Sequence, residues 1–126
     1  MNLLRRRKKQ SMNVRDSGMI RSDGHLAFVR GFICAVSPMR DTGPDCCDGK
    51  VEAAHVRIGT DGGTSLKPSD CWAIPLCASH HAEQHRIGER SFETKYKISM
   101  KAIAEKLWRV SSHRLKYERT HPETTP

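Results

Sequence analysis

The stretch "CASHHAEQH", residues 77–85, sets one cysteine and three histidines close together in a chain of 126 residues that holds 5 cysteines and 7 histidines. Thiolate and imidazole are the donors that zinc-type ions select. On a helix, His81 and His85 stand four apart and share a face, which makes half of a metal site. Cys77 and His80 are three apart and form a C-x-x-H knuckle that can close on an ion from the other direction. One segment thus carries donors for two metals. The second half of the Cys77/His80 site must come from elsewhere, and Cys34 with Cys46 supplies it, Cys47 being the alternative to Cys46. The result is a Cys3His set of the structural zinc type, with all four positions filled. A pairing of Cys77 with His81 is sterically open as well. Cys71 is left over as a buried strand residue. An odd number of cysteines interleaved with histidines reads as metal ligation in a reducing compartment sooner than as disulfides.

These donors need elements to position them, and the chain divides into three parts. Residues 1–24 hold "RRRKK" followed by Ser, Asn, Asp and Gly without apolar periodicity, and read as a disordered basic arm. Residues 25–110 form the domain. Within it "HLAFVRGFICAV" is an apolar run suited to a short helix or strand, and "SPMRDTGPDCCDG" is a loop. "KVEAAHVRI" (50–58) reads as a strand carrying His55, "GTDGGTSLKPSD" as a Gly-rich loop, and "CWAIPL" (71–76) as a strand whose Pro75 argues for an edge or a strand end. "CASHHAEQHRIG" follows as a helix ending at Gly88. "SMKAIAEKLWRV" repeats Met100, Ile103, Ala104, Leu107 and Trp108 at helical spacing, a core-packing stripe. Residues 111–126 are polar and turn-rich and read as a disordered tail, with His113 and His121 outside the site. The fold class is a small α+β domain.

Composition bears on stability and partners. Hydrophobic residues make up 37% and aromatics 6%, a thin supply for a self-sufficient core. A structural zinc contributes on the order of 10 kcal/mol of apparent folding free energy, comparable with the net stability of a small domain. The net charge of +8 favours a polyanionic partner, nucleic acid first. No apolar stretch approaches the ~20 residues that span a bilayer, and no apolar run of a leader follows the basic block. A cytoplasmic protein with no membrane partner is expected.

The order strand, Gly-rich loop, strand, two-histidine helix in "EAAHVRIGTDGGTSLKPSDCWAIPLCASHHAEQHRIGE" (52–89), preceded by zinc-type cysteines, resembles the HNH endonuclease family and its ββα-metal motif. The wider stretch from "HLAFVR" to "KLW" looks like small prophage HNH-type proteins, related at the motif level to phage recombination-enhancement nucleases. The resemblance implies a metal-dependent DNA endonuclease or nickase in a bacterial or phage-infected cell, with DNA as substrate and a recombination protein as a partner. It implies His55 as the general base, His81 and His85 as ligands of a catalytic divalent ion (Mg2+, Mn2+, Ni2+ or Zn2+), and a separate structural zinc. Arg57, Lys67 and Arg86 become candidates for contacts to DNA phosphates. Ala54 stands where the family often has a metal ligand, and Asp70 lies nearest the slot of the motif's asparagine, able to orient His55 or to reach the metal. The main rival without catalysis is a zinc-stabilised module that only binds nucleic acid, and a third reading is a structural or protein-interaction role through the C-terminal helix.

Overall fold

Local sequence explains most of the elements in the computed structural model, which describes residues 18–37, 47–63 and 66–121. Helix α1 (Asp23–Arg30) starts where the Ser22 hydroxyl accepts the His25 N–H at 3.1 Å, with Asp23 in its first turn and Arg30 in its last, as the helix dipole favours. Strand β1 (Val51–His55) pairs antiparallel with β2 (Ala73–Cys77), in a register running from Val51↔Cys77 to His55↔Ala73. The expected strand over 50–58 stops at His55 for a chemical reason. Val56 still donates to the Trp72 carbonyl, but the next two backbone N–H groups, of Arg57 and Ile58, are taken by the Glu89 carboxylate.

The second strand also begins later than expected, because Asp70–Trp72 forms a 3₁₀ turn and the ladder opens only at Ala73. Pro75 lies mid-strand, on the outer side of the pair. It has no N–H to offer there, and its carbonyl accepts the Ala35 N–H at 2.7 Å. Every β2 residue is buried.

Helix α2 (Ala78–Ile87) follows β2 directly and ends at Gly88, whose φ of 91° stops the helix at a value side chains rarely adopt. Helix α3 (Glu89–Tyr96) was not legible in the sequence, because only Phe92 and Tyr96 mark its apolar face; both are buried. The Tyr96 hydroxyl and the Lys95 ammonium both reach Glu83, which clasps α3 to α2. Helix α4 (Met100–Val110) buries Met100, Ala104 and Trp108 of the expected stripe, while Ile103 and Leu107 are half-buried. The main core joins Val36, Ala54, Val56, Ile74, Leu76, Phe92, Tyr96, Met100 and Ala104.

Two boundaries differ from the sequence reading. Within the expected arm, 1–24, the described residues are packed on the domain: Ile20 is buried, and its N–H donates to the Ser69 hydroxyl at 2.9 Å. Residues 1–17 lie outside the described residues. The expected tail, 111–126, instead forms helix α5 (Ser112–Thr120). That helix buries none of its side chains, so no periodicity announced it; the Ser111 cap and the Arg114–Glu118 pair at 3.0 Å support it. Residues 122–126 are outside the described part. Among the described residues no helix is long and apolar enough to cross a membrane.

Candidate metal centre and adjoining cleft

Cys34 follows α1, Cys47 precedes β1, Cys77 ends β2, and His80 lies in the first turn of α2. Their donor atoms all lie within 4.8 Å of one another. From the His80 Nδ1, the Cys77 sulfur is 3.1 Å away and those of Cys34 and Cys47 are each 3.6 Å away. Zinc–sulfur and zinc–nitrogen bonds of about 2.3 and 2.1 Å set tetrahedral edges of about 3.4 to 3.8 Å, so the spacing and donor set fit a four-coordinate ion. The His80 ring is held edge-on against Tyr96, 5.3 Å between centroids.

Protonation chemistry agrees with that fit. Burial pushes the Cys34 thiol up, and burial with the neighbouring Cys34 pushes Cys47 up to about 12. Burial acts in the same sense on Cys77, but the Ser79 hydroxyl, backbone contacts at His80 and Asp48, and the His80 ring bring it down to about 6. Burial thus favours protons on the Cys34 and Cys47 sulfurs, while the contacts around Cys77 favour its thiolate. A divalent cation would displace the protons on Cys34 and Cys47 and satisfy the set.

Cys47 occupies the position for which Cys46 was first expected; Cys46 lies outside the described residues. The alternative pairing of Cys77 with His81 is not what forms, since His81 turns to Glu52. Cys71 is buried, but in the 3₁₀ turn and not in a strand.

Beside this cluster runs a cleft of about 410 Å3, whose lining includes Ala53, His55, Lys67, His81, His85 and Glu89. Alternation along β1 explains its makeup. Ala53 and His55 face the cleft, whereas Ala54 is fully buried in the core and offers nothing to a ligand there. The His55 Nε2 lies 2.9 Å from the Asp70 Oδ1. Burial alone would raise the Asp70 pKa. The bond from His55, the Ser22 N–H at 2.8 Å, and the charges of His55 and Arg21 instead hold it below the usual carboxylate value. An ionised carboxylate only accepts, so His55 carries a proton on Nε2, and Nδ1 is the nitrogen that can accept one when the ring is neutral.

Across the cleft, His81 and His85 stand one helical turn apart with their Nε2 atoms 3.3 Å from each other. Two nitrogens on one ion at about 2.1 Å lie roughly 3 to 3.4 Å apart. The Glu52 Oε1 takes the His81 Nδ1 at 2.7 Å, which directs the His81 lone pair to Nε2. Sequence reasoning missed Glu52, since only the packing of α2 on the sheet brings it to His81. The expected cations divide. Lys67 and Arg57 line the cleft, but the Arg57 guanidinium donates to the Gly63 and Leu66 carbonyls and shapes the Gly-rich loop. Arg86 does not line the cleft; its side chain is 71% exposed, 4.0 Å from Glu83.

The fold and site define a small α+β domain with a Cys3His cluster able to hold a metal ion. Residues 19–112, most of the chain, match the model of the family described as protein of unknown function (DUF968), and the chain belongs to that family. No curated protein and no solved structure matches it.

Proposed function

We propose that this protein is a metal-dependent DNA endonuclease or nickase of the HNH type, with a ββα-metal core stabilised by structural zinc. The observation that carries this reading is the meeting of His55, bonded to a buried Asp70, with the His81/His85 pair in one cleft. The Cys34/Cys47/Cys77/His80 cluster holds the zinc, in a reducing cytoplasm that keeps the thiols available. A divalent ion bound at His81 and His85, Mg2+, Mn2+, Ni2+ or Zn2+, supplies neutralisation of the anionic phosphate in the transition state.

The chain's own residues do the rest. His55 accepts a proton from water at Nδ1 while the water oxygen attacks phosphorus and the bond to the leaving oxygen breaks, the departing alkoxide taking a proton from solvent water. Asp70 stabilises the imidazolium that forms, through the Nε2–H it already holds. Lys67 contacts a backbone phosphate, and Arg57 keeps the loop in shape around it. The charge of +8 draws DNA to the surface, and a recombination protein is the expected partner.

One observation favours the second reading, a zinc module that binds nucleic acid without cutting it. Among the described residues, the Cys3His cluster alone groups three or more donors this tightly, so the cleft offers His81 and His85 without a third close ligand. Supercoiled plasmid incubated with the protein and Mg2+, Mn2+ or Ni2+ decides between the two. Nicking that disappears in His55→Ala and His85→Ala supports the enzyme; DNA shifts without nicking under any metal support the binding module.

A further inference from the structure

Arg21 belongs to the segment whose sequence reads as a disordered basic arm, yet it is bonded to the backbone of Lys67 and Pro68, two residues that line the cleft. Its Nη1 donates to the Pro68 carbonyl at 2.6 Å and to the Asp70 Oδ1 at 3.4 Å, and its Nη2 donates to the Lys67 carbonyl at 3.0 Å. The neighbouring backbone adds a second layer. The Ser22 N–H donates to the Asp70 Oδ2 at 2.8 Å, and the Asp70 N–H donates back to the Ile20 carbonyl at 2.8 Å. Residues 20–22 therefore form a strap across the start of the 3₁₀ turn. Both oxygens of Asp70 are occupied by it, and Oδ1 is shared with His55.

We propose that Arg21 is a positioning residue: its fork fixes the 67–70 backbone and the Asp70 carboxylate so that His55 is held with Nε2 protonated and Nδ1 free to act as base. The inference rests on the nuclease reading for its consequence, but its structural half stands apart from catalysis. A guanidinium is needed because three acceptors are reached from two nitrogens in one plane, which a single ammonium cannot reproduce. Without the fork, the Ser22 N–H is the carboxylate's remaining tie apart from His55 itself, and the 67–70 backbone loses its brace. His55 then samples both tautomers, and the fraction with a lone pair on Nδ1 falls.

The test uses the full chain, with its histidines labelled with 15N, compared as wild type and Arg21→Ala. Nitrogen shifts of His55, read above the pH at which the imidazole titrates, report which nitrogen carries the proton. Plasmid nicking gives kcat and KM in parallel. The expected result is a single Nε2–H tautomer in the wild type and a mixture in Arg21→Ala, with kcat lower by about 10- to 100-fold and KM little changed. An unchanged tautomer in Arg21→Ala overturns the proposal. So does a loss confined to KM, which would make Arg21 a phosphate contact. If Arg21→Ala does not fold, Arg21→Lys replaces it; a smaller loss of the Nε2–H tautomer is expected there, and none overturns the proposal. A wild type that nicks no DNA would sink the nuclease reading, while the tautomer comparison still decides the strap.

Discussion

His55, which lines the cleft, and Asp70, fifteen positions further along the chain, meet through a 2.9 Å contact between Nε2 and Oδ1. The Asp70 side chain is 3% exposed, so little water competes for its carboxylate. This pair dictates which imidazole nitrogen is available to the cleft. Asp70→Asn replaces an obligate acceptor by an amide that can also donate, which frees the wrong tautomer. Nicking by Asp70→Asn should fall by roughly 100-fold, and by His55→Ala by about 10²- to 10⁴-fold, the usual worth of a general base. Single-turnover rates on supercoiled plasmid check both. A rate near wild type in either variant would remove the pair from the mechanism.

Zinc content and stability should move together. Elemental analysis of the purified protein should find about one tightly held zinc per chain, and chelation should unfold the domain, because ligand binding on the order of 10 kcal/mol is at stake. Cys47→Ser should lower the melting temperature sharply and release the metal. A folded, metal-free protein with an unchanged melting temperature would refute the Cys34/Cys47/Cys77/His80 assignment.

The second ion should depend on His85 and, at one remove, on Glu52. His85→Ala should lose binding of Mn2+ or Ni2+ in calorimetry while keeping its zinc. Glu52→Gln should retain binding but weaken it by about 10- to 100-fold, as loss of a carboxylate behind a ligating histidine does elsewhere. Equal affinities in wild type and Glu52→Gln would show that the 2.7 Å contact to His81 does not tune the site.

Acid should destabilise the fold through His25. The ring is fully buried, and burial first, then the charge of His113, lowers its pKa from 6.5 to about 4. The unfolded chain binds the proton between those values and the folded one does not, so stability is full above pH 6.5 and declines as the pH falls toward 4. The loss near pH 5 is about 2 kcal/mol. Urea titrations of zinc-saturated protein at neutral pH and near pH 5 should show this dependence reduced in His25→Leu. An equal slope in both proteins would assign the acid sensitivity elsewhere.

Residue type and local spacing determined a good part of this molecule. The i, i+4 histidines of "CASHHAEQH" declared a helix with two donors on one face, and α2 has it. The C-x-x-H spacing of Cys77 and His80 foretold a shared cluster, because that geometry is settled within one turn. The stripe from Met100 to Trp108 and the edge character of Pro75 were readable for the same reason: both follow from backbone periodicity and from a missing N–H.

What lay beyond the sequence depends on contacts between distant segments. Helix α5 buries no side chain, so nothing in its pattern could signal it, and α3 carries too few apolar residues to do so. The end of β1 is set by a carboxylate 32 positions downstream of Arg57, and the orientation of His81 by Glu52, 29 positions away. Sequence alone determined which donors this protein has and which of them share a helical face. Tertiary structure alone decided that Arg21, Ser22 and Asp70 close over one another beneath His55, since hydrogen bonds across 46 to 49 positions leave no periodic trace in the chain.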